Sequence, residues 1–143
     1  MTCRRGASAF LCLVIGTGVG SCLWRGYAAI MTVHLDVLTQ TADKLCAVVE
    51  SRRELTAESM AEYVYPAQRG REFLRQFDSY NARPSYRHFG ELLDRYETLI
   101  REVDALRAQG RDWQPELPHL TAERDAIQRL AGQVRTELKT ETG

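Results

Sequence analysis

Tyr86, Phe89, Leu93, Tyr96, Ile100, Val103 and Leu106 follow one another at steps of three and four residues. That rhythm puts all seven side chains on one face of an α-helix, and a strand, with its period of two, cannot bury such a set. Glu91 to Arg95 and Glu97 to Arg101 are i,i+4 pairs in the favourable order on the same helix, each contributing ~0.2–0.5 kcal/mol. Gly110 is suited to end it in the left-handed conformation.

The rest of the chain has the same periodicity. Ile30, Val33, Val37, Leu38, Thr41, Leu45 and Val49 form a stripe that fades near Ser51-Arg52-Arg53. Thr56 suits an N-cap, followed by Ala57, Met60, Ala61 and Val64, and Pro66 is expected to kink or end that helix. Phe73, Leu74 and Phe77 resume the pattern beyond Gly70. Asn81 to Ser85 reads as a turn with Ser85 as a cap, and Asp112 to Pro118 as a connector. Thr121 then caps a last helix striped by Ile127, Leu130, Ala131, Val134 and Leu138. No segment alternates with period two between turn signals. The expected fold is all-α: an antiparallel three- or four-helix bundle over 29–143, preceded by an N-terminal hydrophobic targeting or anchor segment over 1–25.

That segment opens with Arg4 and Arg5 and is then uncharged through Trp24. Ala7 to Trp24 as a helix at ~1.5 Å per residue reaches roughly 27 Å, just short of the ~30 Å hydrocarbon core of a bilayer. Its strongly apolar part, Phe10 to Ile15, has the length of a signal-peptide core, and small residues follow it. Val19-Gly20-Ser21-Cys22 resembles the lipobox of bacterial lipoproteins. The resemblance implies cleavage before Cys22 and acylation of its thiol, and it covers the signal segment alone. Valine stands where leucine is commoner, and Leu23-Trp24 departs from the usual polar tether. The rival reading is a spanning anchor, with Gly16 and Gly20 as a helix-packing G-x-x-x-G and Trp24 and Arg25 at the interface. A third is a soluble interaction module beginning at Met31. Arginines ahead of the apolar stretch stay cytoplasmic, so either membrane reading puts the body on the extracytoplasmic side of a bacterial envelope.

Arg4, Arg5 and Arg25 are the only charges before Asp36, so that segment carries +3; the whole chain is neutral, so the remainder carries −3. A mildly acidic body lacks the concentrated basic face that nucleic acid requires. Three of the four cysteines lie in the first 22 residues, so no disulfide framework supports the body. No C-x-x-C, G-x-S-x-G, H-E-x-x-H or glycine-rich phosphate loop occurs in the body, so no catalytic residue, metal or cofactor is assigned and enzymatic activity is not expected.

Other residues carry alternatives. His34, His88 and Cys46 would serve a metal- or cofactor-holding bundle, although His88-x-x-Glu91 reverses the usual Glu-x-x-His order and has no second copy. Cys46 lies on an apolar stripe and reads as core. Tyr63 to Arg71 (YVYPAQRGR) is the least bundle-like stretch, and Arg69, Arg71 and Arg75 are candidates to grip an anion or a partner; the bland alternative pairs them with Glu62, Glu72 and Asp78. Trp113 in its proline-bracketed loop is expected to clamp the bundle end. The expected partners are the membrane and a protein, or a second copy joined through helix 86–106.

Overall fold

The computed structural model describes the backbone of residues 6–141 and the side chains of residues 20 and 22–141. Among these the protein is 88% helix and holds no strand, as the periodicity requires. Four helices follow in order: α1 (Gly6–Glu50), α2 (Ala57–Gln76), α3 (Pro84–Gln109) and α4 (Leu117–Thr140). Single 3-10 turns at Asp78–Tyr80 and Gln114–Glu116 lead into α3 and α4.

The helices alternate in direction. Tyr27 of α1 stacks on Phe73 near the end of α2, and its hydroxyl meets Ser85 at the start of α3. Ser85 in turn bonds Glu141, just past the end of α4. At the opposite end, the Cys46 thiol of α1 faces the Leu120 carbonyl at the start of α4. Each helix packs on the next, and α4 closes back beside α1.

α3 buries the stripe that its spacing predicts: Phe89, Leu93, Tyr96, Ile100 and Val103 are core, joined by Leu92 and Leu99. This apolar face is used up within the chain's own bundle. The Tyr96 hydroxyl donates to the Tyr63 carbonyl of α2 at 2.6 Å and lies 3.0 Å from the Thr41 hydroxyl of α1. Burial pushes that phenol up to about 12.

α1 departs from its expected phase. Ile30, Val33 and Val37 are 42%, 60% and 39% exposed, and the buried face is Tyr27, Met31, Leu35, Leu38, Ala42, Leu45 and Val49. The helix is apolar on two sides, so three- and four-residue spacing admits two phases. The choice falls on the side that seats the large Tyr27 ring and lets Asp36 reach Arg135 of α4. α1 also crosses residues 25–29 without a break, and Tyr27 is already fully buried. The boundary expected there therefore falls inside one helix. Residues 1–19 and Ser21, which carry most of the targeting segment, lie outside the described side chains. Among the described residues no helix is long and apolar enough to cross a membrane.

The ends of the helices follow local rules with three surprises. Thr56 and Ser59 form a reciprocal capping box at the start of α2, as Thr56 predicts. Pro66, however, neither ends nor divides α2. It removes the donor that would meet the Glu62 carbonyl, and the Tyr96 hydroxyl supports the same turn from outside. α4 begins at Leu117 rather than at Thr121, because Pro118 in the first turn lacks only an N–H that has no intrahelical partner there. Ser85 is not a cap either: it is inside α3, and Arg83 holds the cap position, where its side chain does not bond the first-turn N–H groups.

α1 and α3 close alike. Arg52 N–H donates to the Val49 carbonyl and Arg53 N–H to Val48, as Gly110 N–H donates to Arg107 and Arg111 N–H to Leu106. Both are Schellman closures, which need a left-handed residue after the helix. Gly110 (φ 61°) supplies it freely, while Arg52 (φ 56°) carries a Cβ that opposes it. Arg52→Gly is therefore expected to stabilise the fold by ~0.5–1 kcal/mol and Gly110→Ala to destabilise it by about as much, in urea unfolding. Equal, small effects of the two changes would contradict the assignment.

Candidate functional site

The densest chemistry lies at the end of the bundle from which α1 runs out toward its N-terminus. Tyr27 is the centre of an aromatic cluster: Tyr80 lies 4.6 Å away, Trp24 5.4 Å, and Phe73 and Phe77 5.7 Å each, between ring centroids. The Arg83 guanidinium covers the rim of this cluster, 4.4 Å from the Trp24 ring and 4.8 Å from Tyr80. Such stacking holds a cation at the surface while its stem and the rings stay packed.

Beneath the aromatics is a polar chain. The Glu141 carboxylate accepts from the Ser85 hydroxyl at 2.6 Å and from the Ser85 backbone N–H at 2.9 Å. Ser85 has one hydroxyl proton, committed to Glu141, so the Tyr27 phenol must be the donor in its 2.8 Å bond to Ser85. Glu141 thus caps the N-terminus of α3 from another helix, with its negative charge at the positive end of the helix dipole. Burial raises the Tyr27 phenol to about 12, the Ser85 bond and Arg83 acting in the other sense. Ser85 is the buried polar residue of the core, and every buried side-chain polar atom among the described residues has a partner.

The arginines singled out from the sequence do not form one site. Arg71 reaches across to α3, donating to both Glu97 oxygens at 2.8 and 3.3 Å and also to Asp94. Arg69 pairs with Glu72 of its own helix at 2.7 Å, and Arg75 is exposed near the end of α2. At the opposite end Arg52, Arg53, Arg107 and Arg111 line a hollow with Trp113 and with the carboxylates of Glu54 and Asp112. The ends of α1 and α3 both meet there, and the cations offset their carbonyl charge. Trp113 packs half-buried against the core, as expected of a clamp.

His34, His88 and Cys46 lie apart. The His34 ring packs on Phe73 and Phe89, and burial, aided by the Arg69 charge, holds its imidazole below the usual range. His88 Nδ1 lies 2.7 and 2.8 Å from the two Glu137 oxygens. Cys46 is buried against the Leu120 carbonyl, and burial pushes its thiol up to about 11, the opposite of nucleophile activation. The exposed His119 is held above its usual value by a hydrogen bond to Glu102. Among the described residues no group of three or more His, Cys, Asp or Glu could hold a metal ion. Cys22 is exposed on α1, five residues before Tyr27.

No known family model, curated protein or solved structure matches the chain.

Removing the carboxylate isolates what it does. Glu141→Gln keeps the shape and loses the charge at the α3 terminus, and Ser85→Ala removes the relay to Tyr27. Each is expected to cost ~1–3 kcal/mol in chemical denaturation, with the double variant costing less than the sum because both belong to one network. Full additivity would show that Glu141 and Ser85 act independently.

Proposed function

We propose that the protein is a membrane-tethered, extracytoplasmic helical bundle of a bacterial envelope that works as a binding or structural accessory factor rather than as an enzyme. The observation that carries this reading is the continuity of α1. The helix that bears the apolar segment is also the first helix of the core, so no hinge separates tether from body. Whatever holds the segment holds the bundle by the end that carries Trp24, Tyr80 and Arg83.

Both forms of tether lead to the same placement. Lipid on Cys22 would sit five helical residues from Tyr27, about 8 Å at ~1.5 Å per residue. A spanning segment ending near Trp24 would bring the same end to the surface, where tryptophan and arginine suit the head-group region. The partner surface of this reading is the outward face of α1. Leu23, Ile30, Val33 and Val37 are exposed there at steps of seven, three and four residues, and that spacing suits a protein helix or a second copy of the chain.

Cell fractionation of a bacterium expressing the full chain tests the proposal. The protein should stay with membranes through an alkaline carbonate wash, and protease added to intact spheroplasts should digest the body. A body recovered in the soluble cytoplasm and protected from that protease would overturn the reading. Intact mass then separates an acylated chain starting at Cys22 from an uncleaved one.

A further inference from the structure

Beside the aromatic end, α1 and α4 leave a groove of about 460 Å³ between them. Arg25, Arg135 and Lys139 line it together with the apolar Trp24, Ala28 and Leu138. No carboxylate is among its described lining residues. Arg135 is already matched by Asp36 at 2.7 Å. Arg25 and Lys139 are exposed and have no ion-pair partner among the described residues.

A surface that only needed solubility would scatter both signs of charge. Here two unmatched cations border a strip of alanine, leucine and tryptophan. A free inorganic anion would use the cations and leave the apolar strip wet. A zwitterionic lipid such as phosphatidylcholine would bring its own quaternary ammonium beside Arg25 and Lys139 and offset the gain at its phosphodiester. An anionic amphiphile uses both the cations and the apolar strip, with its phosphodiester between Arg25 and Lys139 and the start of its acyl chains against the Trp24 ring, which stands on the tethered side of Arg25. We infer that this groove binds the head group of an anionic phospholipid, seating the bundle on the membrane surface. The inference rests on the tethered reading above, because the groove meets lipid only if this end faces the bilayer.

The two residues come from positions 25 and 139, brought together by the closure of α4 on α1. Their side chains converge only in the folded bundle, so the groove should be lost on unfolding even where the apolar segment still partitions into a membrane.

Native mass spectrometry of the full chain in dodecyl maltoside tests the groove directly. It is supplied with equal amounts of dioleoylphosphatidylglycerol and dioleoylphosphatidylcholine, and separately with inorganic phosphate. One phosphatidylglycerol should be retained in preference to phosphatidylcholine by about thirtyfold, since each basic side chain near an anionic head group contributes a factor of about five. Arg25→Gln with Lys139→Gln should remove most of that preference, Lys139→Gln alone should remove about fivefold, and the exposed Arg129→Gln should leave it unchanged. Lys139→Gln alters a solvent-facing position at the end of α4 and keeps the test sound if the double variant unfolds. Equal retention of the two lipids, a preference untouched by both variants, or displacement of the lipid by phosphate at equal concentration would each overturn the inference. If carbonate washing releases the chain from membranes while the lipid preference persists, the tethered reading fails and the groove stands. If the chain stays in membranes without lipid preference, the groove fails and the tether stands.

Discussion

A single carboxylate organises the end of the bundle on which everything else depends. Glu141 leaves α4, caps the first turn of α3 through Ser85, and through the same serine holds the Tyr27 phenol of α1. Three helices are thereby fixed at one level, and the aromatic rings of Trp24, Phe73, Phe77 and Tyr80 pack around the joint. The burial of Ser85 makes the arrangement demanding. An unpaired hydroxyl and N–H there would cost more than the bonds gain when made, so the three partners hold their positions together. With α4 held in this way, its last turns lie along α1 and define the groove bordered by Arg25 and Lys139.

How much of this could be read in the sequence depends on whether the information was local. The α3 stripe was legible because one face alone is apolar, and Thr56 and Gly110 were legible because capping is decided within a few residues. α1 was legible as a helix but not in its phase. Ile30, Val33 and Val37 compete with Tyr27, Met31 and Leu35 for the same spacing, and only the neighbouring helices choose between them. Arg52 at a left-handed position looked like a fading helix end because glycine is the usual signal there. Pro66 inside α2 is not legible for a related reason: the donor that supports its turn comes from Tyr96, thirty residues away in sequence.

The candidate site shows the same division more sharply. Arg69, Arg71 and Arg75 drew notice because they are close in sequence, yet one is spent on α3, one on its own helix, and one is exposed near the end of α2. The cations that face a common groove, Arg25 and Lys139, stand at opposite ends of the chain. No spacing rule joins them, and neither does any motif. The arginine-lined hollow at the other end was invisible for that reason as well, and its cations sit where two helix ends already call for positive charge.

The bundle's orientation can be read from its two tryptophans, which stand at opposite ends. α4, 24 residues long, joins those ends and spans about 36 Å at ~1.5 Å per residue, well beyond the reach of a short-range quencher held at a membrane surface. The direct measurement is the fluorescence of two single-tryptophan chains, Trp113→Phe and Trp24→Phe, reconstituted at full length into vesicles containing head-group spin-labelled lipid. A bundle held by α1 at its aromatic end gives strong quenching of Trp24 and almost none of Trp113. Equal quenching of the two, or stronger quenching of Trp113, would contradict it.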